Sequence, residues 1–371
     1  MENGNGHGGT RAQTPAQMLE QRYRVFFDPR ALAEARQKRP FILSVVLFVL
    51  TVISTLAVGR EFSVSYAQNR PPFAGLENPF APTWHALIHP RLLLGGIPFA
   101  FTLLGILLAH ELGHYFACRY YKINASYPYF LPAPTLIGTF GAFIRIRSPI
   151  FNRKALFDVG FSGPLVGFVL AVPILVAGIY MSKVVPNAQA GALVIFGNPP
   201  LVKFLLAIFY PGVPARDILL SPIALAAWVG LFATALNLLP VGQLDGGHII
   251  YSIASSSHRR ISMTFGIGLF AIGILFWRNG GSEWLIIALL LLVLGFRHPP
   301  LIDPWTPLGA KRRAWAMVAL IIFLLCFTPL PLTAPETVKS SPPSQQAYRI
   351  HIHDHRGFGN LLQRAKIQAA L

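Results

Sequence analysis

The sequence predicts an all-α polytopic membrane protein with six or seven transmembrane helices and a short membrane-embedded β element at about residues 135–147. Three observations predict it. The chain is 53% hydrophobic and only 12% charged, against a charged share of about 25% in soluble domains. Uncharged apolar runs near the ~20 residues needed to cross a bilayer recur along it. The cations behind its net charge of +17 gather between those runs, where they orient a membrane protein. In a soluble chain that excess would suggest nucleic acid. Here orientation accounts for it, and no nucleic-acid partner is expected.

Residues 1–40 read as a polar, largely disordered basic arm, too long and polar for the n-region of a signal peptide. Arg11, Arg22, Arg24, Arg30, Arg36, Lys38 and Arg39 precede the first span, Phe41–Gly59, and keep that end in the cytoplasm. Tyr66–Pro90, rich in proline and aromatics, is an extracytoplasmic loop, and Leu92–Ala109 is the second span. Tyr127–Pro149 opens with Pro128, Pro132 and Pro134, then alternates small or polar residues with apolar ones, which is strand periodicity. Extended backbone at membrane depth needs protein or water to cover it. A strand there offers an edge to an extended peptide.

Val159–Ser182 is the third span, with Gly163 and Gly167 spaced for close helix packing. Leu201–Tyr210 is a short apolar piece expected as an interfacial helix. The remaining spans are Ile218–Leu244, Ile261–Trp277, the thin Trp284–Phe296 and Ala314–Leu332. Alternation sets Arg119, Lys122, Arg145, Arg147, Arg153, Lys154, Arg259 and Arg260 on the cytoplasmic side. Residues 41–335 are thus read as one membrane domain with its core at 92–251, followed by a polar tail, 336–371, whose side depends on six spans or seven. Cys118 and Cys326 are the two cysteines and make no disulfide framework. Cys118 reads as a small buried residue. The expected location is a bacterial cytoplasmic membrane, with the N-terminus and the reactive groups toward the cytoplasm.

The chemistry is carried by His110-Glu111-Leu112-Gly113-His114, at the end of an apolar run. H-E-x-x-H on a helix reads as a zinc site with a glutamate base, and ionisable groups at membrane depth are costly enough to mark function. Positions i and i+4 differ by about 40° of rotation, so His110 and His114 can share one metal. Glu111 sits beside them and can reach an attacking water. Zinc hydrolases keep three protein ligands and one open position for that water. A third ligand is therefore required. Asp245 stands alone among acidic residues between Asp217 and Glu283, just after helix-breaking Pro240 and Gly242, and before Gly246-Gly247, where backbone can approach closely. His248 competes with it by chemistry, although an outer or structural role suits it better. His351, His353 and His355 read as a solvated tail.

H-E-L-G-H in one span and N-x-x-P-x-x-x-L-D-G-G in a later one, from Asn237 to Gly247, resemble the site-2 protease family of intramembrane zinc metalloproteases. Tyr129–Ile150 and Asp158–Phe168 are similar to its chloroplast and cyanobacterial branch. The resembling region runs from about Leu92 to Tyr251. The resemblance implies one Zn2+ per chain held by His110, His114 and Asp245, with Glu111 as catalytic acid and base. It implies that Asn237 holds substrate backbone or the oxyanion. It places Gly138, Thr139, Phe140 and Gly141 in the edge element that pairs with substrate. The implied activity is hydrolysis of transmembrane segments of membrane proteins by Glu-assisted attack of a zinc-bound water. The spacing leaves no room for a PDZ-sized insert between the third and fourth spans, and the sequence names neither substrate nor oligomeric state. Two other readings stay open on sequence alone: a catalytically silent member that binds or chaperones membrane proteins, and an ion-coupled transporter.

Overall fold

Three apolar runs fold as long helices, α1 (Phe41–Ala67), α2 (Ile97–Tyr120) and α3 (Arg153–Tyr180). The computed structural model describes residues 41–74, 88–189, 191–192, 194–277 and 281–333. The basic arm 1–40 and the tail with His351, His353 and His355 lie outside the described residues. Among these residues, three helices are long and apolar enough to cross a membrane: Phe41–Ala67, Arg91–Tyr120 and Arg153–Tyr180. The second includes the 3-10 turn Pro90–Gly96 that leads into α2. It continues past Ala109, the expected end of the span, through the H-E-x-x-H motif. Its ionisable groups are buried and partnered, so they do not mark a helix end.

The α3 helix is the centre of the packing and touches α2 and the helices Pro222–Asn237, Asp245–Ile253 and Ala310–Cys326. Asn152 caps its start, its side chain accepting from the Ala155 N–H at 2.9 Å; such a cap satisfies one of the orphan donors of a first turn. The next helices are α4 (Pro200–Phe209), at the position expected for an interfacial helix, and α5 (Pro222–Asn237). The run read as one span, Ile218–Leu244, is broken. Its helix stops at Asn237, the chain turns through Pro240 and Gly242 at φ +54, and α6 (Asp245–Ile253) begins anew. A Cβ at Gly246 would sit 2.1 Å from the Leu238 carbonyl oxygen, and one at Gly247 2.4 Å from that of Gly242. These two glycines let the new helix lie directly on the turn that precedes it. Then follow α7 (His258–Leu275), α8 (Ser282–Leu294) and α9 (Ala310–Cys326).

Strands are few. An antiparallel hairpin, β1 (Tyr129–Pro132) and β2 (Thr139–Phe143), pairs Tyr129 with Phe143 and Phe130 with Ala142. Its register slips between Phe130 and Pro132, where proline offers no N–H to the ladder. The hairpin packs on α1, and the chain stays extended beyond it to an isolated bridge between Ala125 and Ile146. Two further ladders have strands of two residues each, β3 (Lys183–Val184) with β5 (Ile218–Leu219) and β4 (Ile195–Phe196) with β6 (Leu332–Thr333).

One polar staple ties three helices at the hairpin end. Arg312 of α9 grips Asp158 of α3 at 2.8 and 2.7 Å, and Tyr121 after α2 donates to the same carboxylate. A bidentate guanidinium–carboxylate pair fixes geometry as well as charge. Cys118 and Cys326 are free and buried.

Candidate metal centre

The H-E-x-x-H residues lie inside the helix packing. His110, Glu111 and His114 are 4%, 4% and 6% exposed. Asp245 reaches them from the first turn of α6, its Oδ2 lying 3.2 Å from Nε2 of His110 and 3.2 Å from Nε2 of His114. The two Nε2 atoms are 3.0 Å apart. Tetrahedral zinc with bonds of ~2.0–2.1 Å holds its ligand atoms about 3.3 Å from one another. Two imidazole nitrogens and one carboxylate oxygen at these spacings are the donor set such an ion takes, with a fourth position left over.

The outer contacts fix the rings. His114 donates from Nδ1 to the Val159 carbonyl oxygen at 2.7 Å, which leaves the lone pair on Nε2, as a ligating imidazole requires. Asn237, at the end of α5, donates from Nδ2 to His110 Nε2 at 3.2 Å. The Ile144 main chain, just past β2, lies against the Glu111 carboxylate. The base therefore lies between the ligand cluster and the end of the hairpin.

The α3 helix supplies the space for all this. A Cβ at Gly163 would lie 2.1 Å from His114 Nε2, one at Gly167 3.2 Å from the His110 ring, and one at Gly160 2.7 Å from His248 Cβ. Read in sequence, Gly163 and Gly167 are a helix-packing pair. In the structure their partners are the imidazoles themselves. Nothing local in the sequence signals this, because the rings come from another helix.

The expected site residues divide into two groups. His110, His114, Asp245 and Asn237 converge, with Glu111 beside them. Gly138, Thr139, Phe140 and Gly141 sit toward the other end of the hairpin. The carbonyl of Gly138 accepts from Ser54 Oγ of α1 at 2.6 Å. Thr139 is buried and donates to the Leu131 carbonyl oxygen at 2.8 Å, Phe140 is exposed, and Gly141 has φ +101. At ~3.3 Å per strand residue, Gly141 lies about 10 Å along the chain from Ile144, the residue that reaches Glu111. His248 stays outside the ligand group and pairs with His298, Nδ1 to Nε2 at 2.8 Å. Sequence reasoning missed His298, which lies outside the quoted motifs.

Comparison with known proteins identifies a family and several relatives. The family described as Peptidase family M50 matches residues 98–279, a stretch that holds the motif helix, α3, α5 and Asp245. The chain is 30% identical over 303 residues to "Probable zinc metalloprotease EGY1, chloroplastic" of Arabidopsis thaliana, covering 78% of this chain and 53% of that protein. Its counterpart in Oryza sativa subsp. japonica is 30% identical over 311 residues, 78% of this chain and 50% of that protein. "Probable zinc metalloprotease EGY2, chloroplastic" of Oryza sativa subsp. indica is 32% identical over 206 residues, 54% of this chain and 37% of that protein. The chain thus spans about half the length of the EGY1 relatives.

Proposed function

Because residues 98–279 belong to peptidase family M50, we propose that this chain is a zinc-dependent intramembrane endopeptidase acting on transmembrane segments of other membrane proteins. One observation carries the reading: a single carboxylate oxygen, Asp245 Oδ2, lies 3.2 Å from both motif imidazoles. His110, His114 and Asp245 hold the ion. Zinc, when bound, supplies Lewis-acid polarisation and lowers the pKa of water toward neutrality.

The rest is the work of the chain's own groups. Glu111 accepts the proton of the attacking water and returns it to the leaving amine, its carboxylate oriented by the Ile144 main chain. Asn237 offers its Nδ2 hydrogens to the substrate carbonyl as charge develops on oxygen. A peptide carbonyl inside a transmembrane helix is already hydrogen-bonded, so the substrate must unwind before attack. The extended hairpin, including Gly138, Thr139, Phe140 and Gly141, receives the unwound form.

The membrane arrangement belongs to the same reading. The three long helices, together with α5, α7, α8 and α9, make six or seven crossings. Lys and Arg flanking them set the metal centre toward the cytoplasmic face of a bacterial membrane. The partners are the lipid bilayer and single-span proteins.

Glu111→Gln tests the proposal. The purified variant should keep one zinc per chain, while cleavage of a panel of single-span substrates in liposomes falls by the ~10²–10⁴ that a general base contributes. A wild-type protein that binds zinc and cleaves none of them would sink it.

A further inference from the structure

A cavity of about 400 Å³ lies within the ~300–1,000 Å³ range of ligand sites. Its floor is Gln243 and His248, which flank Asp245 in sequence. Phe143 and Ile146, at the end of the hairpin, form one wall, and His298 and Leu301 the other.

The first wall is an unpaired strand edge. Ser126 donates its N–H to the Arg145 carbonyl oxygen at 2.9 Å, and Arg147 donates its own to that of Asn124 at 2.8 Å. Ala125 and Ile146 are bridged between these bonds, so they form a non-hydrogen-bonded antiparallel pair. The N–H and C=O of Ile146 therefore point away from that neighbour, and they take no main-chain partner among the described residues. Ile144, two residues earlier, points the same way, with its main chain against Glu111. The edge that begins at the catalytic base thus continues along the cavity.

The second wall cannot fill that edge. It runs through Pro299 and Pro300, which have no N–H to give. It is pinned at both ends. His298 accepts from His248 at 2.8 Å and stacks on Tyr251 with ring centroids 4.2 Å apart. The Asp303 N–H donates to the Phe151 carbonyl oxygen at 2.8 Å, beside the residue that caps α3.

We propose that His298–Leu301 is the specificity wall of a substrate pocket, which takes a large apolar side chain of an extended peptide paired to the Ile144–Ile146 edge. The occupant must bring its own main-chain N–H and C=O groups, because the edge needs them and the prolines lack donors. Its side chain is apolar where it meets Phe143, Ile146 and Leu301, while Arg145 and Gln243 line the same cavity. This assignment rests on the protease reading above.

The test uses the full chain in liposomes with single-span substrates carrying Ala, Leu or Phe at each position flanking the mapped scissile bond. Wild type should favour Leu and Phe over Ala at one of these positions. Leu301→Trp, which fills the pocket, should move that preference toward Ala by roughly 10-fold, the low end of what a filled or emptied apolar pocket discriminates, with zinc content unchanged. Leu301→Ala should move it the other way. In Glu111→Gln, a substrate bearing a photoreactive phenylalanine analogue at the same position should cross-link to residues 298–301. Identical Ala:Leu:Phe ratios in all three proteins, or cross-links elsewhere only, overturn the pocket while leaving the protease intact. A zinc-loaded wild type that cleaves no substrate overturns both.

Discussion

Two imidazole pairs flank Asp245, one at its carboxylate and one through His248 three residues on, and only one of them is built for a metal. His110 and His114 bring Nε2 atoms to 3.0 Å, and His248 and His298 bring nitrogens to 2.8 Å. Distance does not separate them; protons do. In the second pair His298 donates from Nδ1 to the Pro299 carbonyl oxygen at 2.6 Å. Its Nε2 is then a lone pair, and the Nδ1–H of His248 satisfies it. In the first pair the Nδ1 proton of His114 goes to Val159, while Asn237 donates to Nε2 of His110. Two unprotonated imidazole nitrogens and a carboxylate oxygen therefore face one another, and an ion bound there would displace the Asn237 N–H from His110. A histidine pair becomes a metal site when its outer hydrogen bonds take the protons away, and it becomes a strut when they leave one between the rings.

Removing the carboxylate should break the distinction most severely. Asp245→Ala leaves two imidazoles, and two ligands fall short of the three that zinc hydrolases use. Zinc in the purified protein should drop from one per chain to near zero, by more than the ~10–100-fold typical of losing an outer partner, and cleavage should vanish with it. Full zinc occupancy in this variant, measured by elemental analysis, would remove Asp245 from the ligand set.

The glycines of α3 sharpen the comparison with a smaller effect. Gly163→Ala directs a methyl group to 2.1 Å from His114 Nε2, and the ring cannot retreat without losing Val159. Zinc affinity should fall by about 10–100-fold, the scale of outer-shell damage, and the visible spectrum of the cobalt-substituted protein should shift. Gly178→Ala presses on the Ala224 main chain at 2.5 Å instead and should leave that spectrum unchanged. Equal spectra for both variants and wild type would mean that α3 only packs.

The sequence made one of these pairs legible and hid the other. H-E-x-x-H is readable because a helix brings i and i+4 together, and Asp245 is readable because it is a lone acid beside a helix break. His298 pairs with a residue 50 positions away, and no local period reports that. The hairpin fails to read for the same reason. Alternation indicates a strand near 135–147, but which residue reaches the base is decided by the partners at 124–130. That register brings Ile144 to Glu111 and sets Gly138 against α1. Gly163 and Gly167 look like helix packing because sequence shows the missing side chain and not the ring that occupies its place.

The smallest predicted effect concerns the strut. Burial pushes His298 down to about 4 from an ordinary 6.5, with the neighbouring His258 adding to the shift and the Pro299 carbonyl opposing it. Between those two values the unfolded chain binds a proton that the folded one does not. His298 therefore makes stability fall as pH drops from 6.5 through 4. His298→Gln removes that sensitivity and one hydrogen bond worth about 1 kcal/mol. His258, with its ring 5.8 Å away, and His248, at 2.8 Å, still titrate, and His248, which burial and His298 both push down, is depressed less in the variant, which narrows the gap further. The variant should melt lower than wild type at pH 7.5, and the gap should narrow toward pH 4.5, with zinc content unchanged at pH 7.5. Parallel melting curves across that range would show that the His248–His298 pair carries its proton differently. Loss of zinc at pH 7.5 would show that the two pairs are not separable at all.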